Sequence, residues 1–245
     1  MIPLFKSHYS IGKSILTLKN PEKVEEGGAD SVFSIAQEHK LKQVCLVEDS
    51  LVGFLEAKKT SEELGINLYF GLRIEIENGN SYKVIIFAKN SEGIKDLNSI
   101  YSEKFCSEEK FSIDSLKSLW TDNLLLVIPF YDSFIFNNTL SFAGCMPDFN
   151  FTNPSFLLED NGLPFDHIIR KKVLDYCKVN QLETLEAKSI YYKNKSDFDA
   201  WLTYKIATNR RFGRNQSLYC PNFDHLGSDE FCFESYLQKN DRQTS

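Results

Sequence analysis

Short apolar runs recur along the chain and alternate with amphipathic segments. The apolar runs have the length and residue content of buried strands, and they are Gln43–Val47, Asn67–Ile76, Tyr82–Ala88, Asn123–Phe130, Ser155–Glu159 and Leu185–Tyr192. The segments between them carry apolar residues at helical spacing, and they are Asp30–Lys40, Val52–Gly65, Asp166–Asn180 and Asp197–Asn209. Strands that alternate with helices predict βα units and a largely parallel sheet or barrel of the α/β class.

The polar and glycine positions at the ends of these segments predict where elements begin and stop. Asp30 or Ser31 is a good N-cap for the first helix, and Gly65 suits the C′ position of the second. No linker rich in Pro, Gly or Ser and no internal repeat is present. We therefore predict a single domain over residues 1–237, followed by a polar, flexible C-terminal tail over residues 238–245.

Composition narrows the class of protein. The chain has 245 residues and a net charge of −6. Proteins that bind nucleic acid over a wide surface are usually basic, so this charge argues against a protein that binds DNA on its own. The six cysteines form no CxxC pair, which argues against a zinc ribbon. No signal peptide and no apolar run of membrane-spanning length is visible. These features predict a cytoplasmic protein with reduced thiols and no membrane contact.

Candidate chemistry is sparse. The four histidines His8, His39, His167 and His225 are scattered and form no HxH or HExxH motif, so a histidine metal site would need distant residues to converge. One dense basic patch, at Arg210, Arg211 and Arg214, is a possible nucleic-acid contact or a solvated loop. The carboxylates Glu48, Asp49, Glu75 and Glu77 lie at or just past predicted strand ends, where sites form in barrel-like folds.

Five stretches in the right order resemble the PHP (polymerase and histidinol phosphatase) domain family, closest to the N-terminal PHP domain of the bacterial DNA polymerase III alpha subunit. The most specific match is "YKVIIFAKNSEGIKDLNSI", residues 82–100, since the family has an apolar strand, then Ala-Lys-Asn, then Glu-Gly and a helix. The others are "SHYSIGKSIL" and the segments at residues 44–76, 156–192 and 217–231. The resemblance spans nearly the whole chain and implies a distorted (β/α)7 barrel.

The resemblance also implies a cluster of divalent metals, held in active members by His, Asp and Glu. In this chain the matching positions carry other residues, which are Leu4, Lys6, Glu48, Asp49, Arg73, Lys83, Ser189 and Tyr191. Of these, Glu48 and Asp49 remain plausible ligands. We interpret the set as a degenerate former metal site with no catalytic residue and no metal cofactor. We expect Lys6, Arg73 and Lys83 to pair with Glu48 and Asp49 and to hold the barrel mouth together; simple decay of the site is the alternative.

The predicted function is that of a freestanding, catalytically inactive PHP-like domain in a DNA replication machinery, with a phage or other mobile element as a candidate origin. Its expected partner is a separately encoded DNA polymerase, its exonuclease or another replisome protein, with DNA contacted through that partner. Phe134 and Phe136 are a possible partner patch, and a buried strand is the alternative for this segment. The alternative is a metal-dependent 3′–5′ exonuclease or phosphoesterase that uses Mn, Zn or Fe through a rearranged ligand set.

Overall fold

A closed barrel of strands forms the centre of the protein. The structure, a computed structural model, describes residues 1–142, 144–209 and 228–244. The strands are β1 Ile2–Phe5, β2 Gln43–Glu48, β3 Asn67–Asn78, β4 Asn80–Ala88, β5 Leu124–Ile128, β6 Ser155–Leu158 and β7 Thr184–Ile190. The helices are α1 Val32–Glu38, α2 Phe54–Leu64, α3 Ser91–Cys106, α4 Ile113–Ser118, α5 Phe134–Ser141, α6 Asp166–Asn180, α7 Phe198–Asn209 and α8 Phe233–Thr244.

The strands follow chain order around the barrel, and β7 closes it by pairing with β1. Every neighbouring pair is parallel except β3–β4 and β4–β5, which are antiparallel. The α/β class and the seven-stranded barrel are confirmed, but the βα alternation is interrupted at Gly79, where β3 turns directly into β4. Gly79 adopts φ +73°, a conformation that favours glycine in a tight hairpin.

The parallel strands all end at the same mouth of the barrel. Because β4 runs in the opposite direction, its first half lies at this mouth and pairs with the second half of β3, with Lys83 opposite Glu75. In barrels of this kind the carboxyl ends of the strands form the functional face. The mouth is therefore where the residues just past the strand ends converge.

Local sequence signals set the helix ends. Helix α1 begins after Ser31, whose hydroxyl accepts a hydrogen bond from the Phe33 amide at 3.1 Å. Helix α2 ends at Gly65, which adopts φ +65° and satisfies carbonyls of the last turn. Helix α6 covers the predicted span without a shift at either end.

The proposed aromatic patch is not a surface feature. Phe134 is fully buried and its ring contacts Tyr82, Phe156 and Tyr176. Phe136 is half-buried and lies edge-on to neighbouring aromatic rings. The prediction that these two residues form a partner patch is wrong for Phe134, because α5 turns this residue into the core. The alternative of a buried strand is also wrong, since the segment forms a helix.

The C-terminal segment also differs from the prediction. A flexible tail was expected from residue 238, but α8 continues to Thr244. Lys239 explains part of this, since its ammonium lies 3.3 Å from the Asp160 carboxylate. Within the described ranges, none of the helices has the length and apolar character needed to cross a bilayer. Arg210, Arg211 and Arg214 lie outside the described residues.

Candidate functional site: the barrel mouth

Strand alternation decides which side chains enter the mouth. Successive residues of a strand point to opposite faces, so Leu4 and Lys6 point inward from β1. On β2, Val47 lines the interior and Asp49 follows on the same side, whereas Glu48 points the other way. A cavity of about 30 Å³ is left between Lys6, Arg73 and the residues around them.

The charged side chains of the mouth form a chain of alternating sign that crosses five neighbouring strands. The Lys6 Nζ lies 3.0 Å from an Asp49 oxygen, and the same oxygen lies 3.9 Å from the Arg73 guanidinium. Arg73 donates to the Asp132 carboxylate at 2.7 Å, and Lys83 lies 4.0 Å from that carboxylate. The order Lys6, Asp49, Arg73, Asp132, Lys83 gives three cations and two anions, and we call it the mouth ion chain.

Burying the charges of the mouth ion chain costs free energy unless each charge has a partner of opposite sign. The side chains of Lys6 and Arg73 are 5% and 8% exposed. Desolvation lowers the pKa of Lys6 to about 8, because it outweighs the attraction of Asp49. Burial alone would raise the pKa of Asp49, but Lys6 and Arg73 hold it below its ordinary range. Both charges at this end therefore depend on each other.

The other end of the ion chain is more open. Burial and the nearby Arg73 lower the pKa of Lys83. Burial opposes ionisation of Asp132, yet Arg73 and Lys83 lower its pKa below the ordinary value. The Asp132 side chain is 44% exposed, and its backbone adopts φ +62°, a conformation in which Asp is among the better tolerated residues. Its carbonyl also accepts from the Lys83 amide at 2.8 Å. Asp132 therefore connects the loop after β5 to β4 through two contacts with Lys83, one from its carboxylate and one from its backbone carbonyl.

Glu48 has a different partner from the one predicted. It faces outward beneath the loop after β1, where it accepts the Ser7 amide at 2.7 Å and the Ser10 hydroxyl. Burial raises its pKa in spite of these hydrogen bonds and the nearby Lys6. The expectation that Glu48 pairs with the mouth cations is therefore corrected: its hydrogen bonds go to the loop after β1, and of the three cations only Lys6 lowers its pKa. Its neighbour Asp49 takes that role, because consecutive residues of a strand point to opposite sides.

A second polar cluster covers the opposite wall of the mouth. Glu159 accepts the Ser189 amide at 2.8 Å, the Ser189 hydroxyl at 3.0 Å and an Asn161 amide hydrogen at 3.0 Å. Burial raises the pKa of this carboxyl. Tyr191 lies beside the cluster with its ring stacked on Phe231 at 5.4 Å between centroids. Ser189 and Tyr191 thus serve hydrogen bonding and packing.

The residues at the mouth do not suit a cluster of divalent metals. Leu4 has no lone pair to donate, and Lys6, Arg73 and Lys83 place positive charge at the mouth, which repels divalent cations. A unit charge about 4 Å from a like charge is repelled by roughly 4 kcal/mol at an effective dielectric near 20. Within residues 1–142, 144–209 and 228–244, no group of three or more His, Cys, Asp or Glu side chains is arranged to hold a metal ion.

Sequence reasoning missed two carboxylates of this site. Asp132 follows β5 and Glu159 follows β6, the same strand-end position that singled out Glu48 and Asp49. Applying that rule to every predicted strand would have identified both. Glu75 and Glu77 were singled out instead, but they lie in the part of β3 beyond Arg73, and Glu77 pairs with Lys104 at 3.4 Å.

Comparison with known proteins finds no family model and no curated protein that matches the chain. Among solved structures, an amidohydrolase from Chromobacterium violaceum with bound sulfate and no metal has a TM-score of 0.48 at 11% identity, over 78% of this chain and 87% of its own. A putative metal-dependent phosphoesterase from Bifidobacterium adolescentis has a TM-score of 0.44 at 11% identity, over 76% and 87%.

Proposed function

We propose that this chain is a catalytically inactive, PHP-like barrel that works by binding another protein. The observation that supports this most strongly is the mouth ion chain, in which Lys6 and Arg73 occupy positions where a metal centre requires lone-pair donors. The barrel interior beneath the ion chain is also nearly filled, since a cavity of about 30 Å³ remains beside Lys6 and Arg73. That volume is enough for a water molecule or two and too small for a substrate.

The proposed partner is a component of a DNA replication machinery, namely a separately encoded DNA polymerase or its exonuclease. The support is the sequence resemblance, which runs through most of the chain and is closest to the domain that accompanies a replicative polymerase. In that family the domain packs against the polymerase and in many bacteria supports the proofreading exonuclease. DNA would then be contacted through the partner, in keeping with a net charge of −6.

One observation keeps an enzymatic alternative worth testing. Asp49, Asp132 and Glu159 all face the mouth, and carboxylates are usable ligands for Mn²⁺, Zn²⁺ or Fe²⁺. A metal-dependent exonuclease or phosphoesterase would need Lys6 and Arg73 to leave Asp49 on metal binding. The two proposals differ in whether these ion pairs are retained when metal is added.

A hydrolysis assay separates the two. The purified full chain is incubated with bis-p-nitrophenyl phosphate and with 3′-labelled single-stranded DNA, in Mn²⁺, Zn²⁺ or Fe²⁺ and in EDTA. The binding proposal predicts no hydrolysis above buffer in any condition. Hydrolysis that requires metal and is lost in Asp49→Asn would contradict it and favour the enzyme.

A further inference from the structure

The mouth ion chain has a cation at each end, and the two ends differ in their access to solvent. Lys6 forms the buried end, where its side chain is 5% exposed and an Asp49 oxygen lies 3.0 Å from its ammonium. Lys83 forms the open end, where its side chain is 27% exposed. Because the charges alternate in sign and Lys83 is the last of them, the next member of the series would be an anion.

The Lys83 ammonium has few partners for a group that is three-quarters removed from solvent. Among the residues that the structure describes, it makes no hydrogen bond, and the nearest carboxylate oxygen, from Asp132, lies 4.0 Å away. Glu75 lies opposite Lys83 in the β3–β4 ladder but comes no closer than Asp132. An ammonium has three hydrogens to donate, and a buried donor without an acceptor costs free energy. A further acceptor beside Lys83 would recover that cost.

A fourth cation adds positive charge at the open end. Burial lowers the pKa of Lys83, and Arg73 and Lys13, the latter in the loop after β1, lower it further. Burial opposes ionisation of Asp132, yet Lys13 acts with Arg73 and Lys83 to lower its pKa. Arg73 already holds the Asp132 carboxylate at 2.7 Å. A chain with a net charge of −6 therefore presents a local positive site, where an anion would be attracted.

Apolar side chains are exposed on the loops that border the same mouth. Ile11, in the loop after β1, is 78% exposed, and Val52, in the loop after β2, is 68% exposed. The two loops lie against each other, since the Asp49 amide donates to the Ser10 hydroxyl at 3.0 Å. The cationic end of the mouth is thus bordered by side chains that favour contact with another apolar surface.

These features together favour an acidic protein segment over nucleic acid. Nucleic acid presents a line of phosphates, and the surfaces that bind it are broad and rich in Lys and Arg. At this mouth the cations alternate with Asp49 and Asp132, and these carboxylates would repel neighbouring phosphates. A single Asp or Glu side chain brings one negative charge, and apolar residues beside it would pack on Ile11 and Val52. Complementary charge of this kind sets the specificity of protein interfaces.

We propose that the open end of the mouth ion chain binds an Asp or Glu side chain from an acidic, apolar segment of the partner protein, with Lys83 and Lys13 holding the carboxylate. This inference rests on the proposed binding function and deepens it by naming the chemistry of the contact. The cations that disfavour a divalent metal at this mouth then recognise the partner.

A labelled peptide tests the site before the partner is known. The probe is a fluorescent peptide of alternating Glu and Leu, titrated with the full chain at low ionic strength and followed by fluorescence anisotropy. Lys83→Met removes the ammonium and keeps an apolar side chain of similar length. Lys59→Met makes the same change of charge on α2, where the Lys59 side chain is 75% exposed, and it serves as the control. Urea unfolding checks that both variants keep the fold.

We expect Lys83→Met to weaken binding of the Glu–Leu peptide about 10-fold, and Lys59→Met to bind it as the wild type does. The affinity of the wild type should fall as salt is added, because salt screens the contact. No measurable binding by the wild type, or equal binding by the two variants, would overturn the acidic site. It would leave the proposed inactivity to be decided by the hydrolysis assay.

A second peptide makes the test independent of any variant. A peptide of alternating Gln and Leu has the same apolar residues and no charge, and we expect the wild type to bind it at least about 10-fold more weakly. Equal affinity for the two peptides would show that no carboxylate is recognised and would overturn the proposal.

Two further outcomes separate this site from other functions. Lys83-dependent binding of a labelled oligothymidylate that is tighter than binding of the Glu–Leu peptide would contradict an acidic protein segment and identify a phosphate ligand. Metal-dependent hydrolysis together with Lys83-dependent peptide binding would overturn the proposed inactivity and leave the acidic site standing.

Discussion

Removing the centre of the mouth ion chain should reveal an energetic coupling that ordinary surface ion pairs lack. Arg73 is 8% exposed and donates to Asp132 at 2.7 Å, and it also lies 3.9 Å from Asp49. Breaking a buried ion pair by removing one partner costs about 3–5 kcal/mol. Asp132 is 44% exposed, so solvent screens this pair, and we expect Arg73→Met to cost about 2–4 kcal/mol of unfolding free energy.

A double-mutant cycle isolates the pair. Arg73→Met, Asp132→Asn and the double variant are unfolded in urea, and the coupling is the part of the free-energy loss that is not additive. We predict a coupling of about 1–2 kcal/mol for this pair. The exposed pair Lys58–Glu62, 3.8 Å apart on α2, provides the control cycle, with an expected coupling of roughly 0.3–0.5 kcal/mol. A coupling for Arg73–Asp132 no larger than that of the control would refute the argument.

The remaining predictions concern pH and packing. The pKa of Asp49 in the folded protein is below its ordinary value of 3.8. As pH drops below that value, the unfolded chain therefore takes up a proton at Asp49 while the folded protein stays ionised there. The stability of the wild type relative to Asp49→Asn should fall in this range. The pKa of Glu48 is above its ordinary value of 4.5, so the opposite holds: relative to Glu48→Gln, wild-type stability should be greatest at low pH and should fall as pH rises past that value. Thermal unfolding of the wild type and each variant between pH 3 and pH 8 measures both stability differences. If the two differences changed with pH in the same direction, the opposite orientations of Asp49 and Glu48 would be contradicted. Phe134→Ala should cost about 3–5 kcal/mol in urea unfolding, because the residue is fully buried; a loss below about 1 kcal/mol would mean that Phe134 is exposed after all.

The barrel could be predicted from sequence because its strands are short apolar runs with clear boundaries. The hydrophobic pattern identified all but the first of the barrel strands, and the caps at Ser31 and Gly65 placed helix ends within a residue or two. The first strand, Ile2–Phe5, was not recognised because it has only four residues and one of them is a proline. The β3–β4 hairpin was not predicted, because apolar runs do not encode strand direction and Gly79 alone is a weak turn signal.

The charged site could be predicted in part. Lys6, Asp49, Arg73 and Lys83 were identified through aligned positions, and the structure brings them together. Asp132 was missed because the strand-end rule was not applied to the predicted strand Asn123–Phe130, although Asp132 lies two residues past its end. The pairing of Glu48 was misjudged because the two consecutive residues Glu48 and Asp49 were assigned to the same side, whereas successive residues of an extended segment point to opposite sides.

The central claim is that paired side chains, and not metals, fill the mouth of this barrel. Metal content of the purified full chain, measured by inductively coupled plasma mass spectrometry after equilibration with Mn²⁺, Zn²⁺ or Fe²⁺ and removal of free ions, tests it most directly. The account predicts less than about a tenth of an equivalent of each metal, because Lys6 and Arg73 hold the carboxylate that a metal would need. One or more equivalents, lost on replacing Asp49 or Asp132 with Asn, would contradict it.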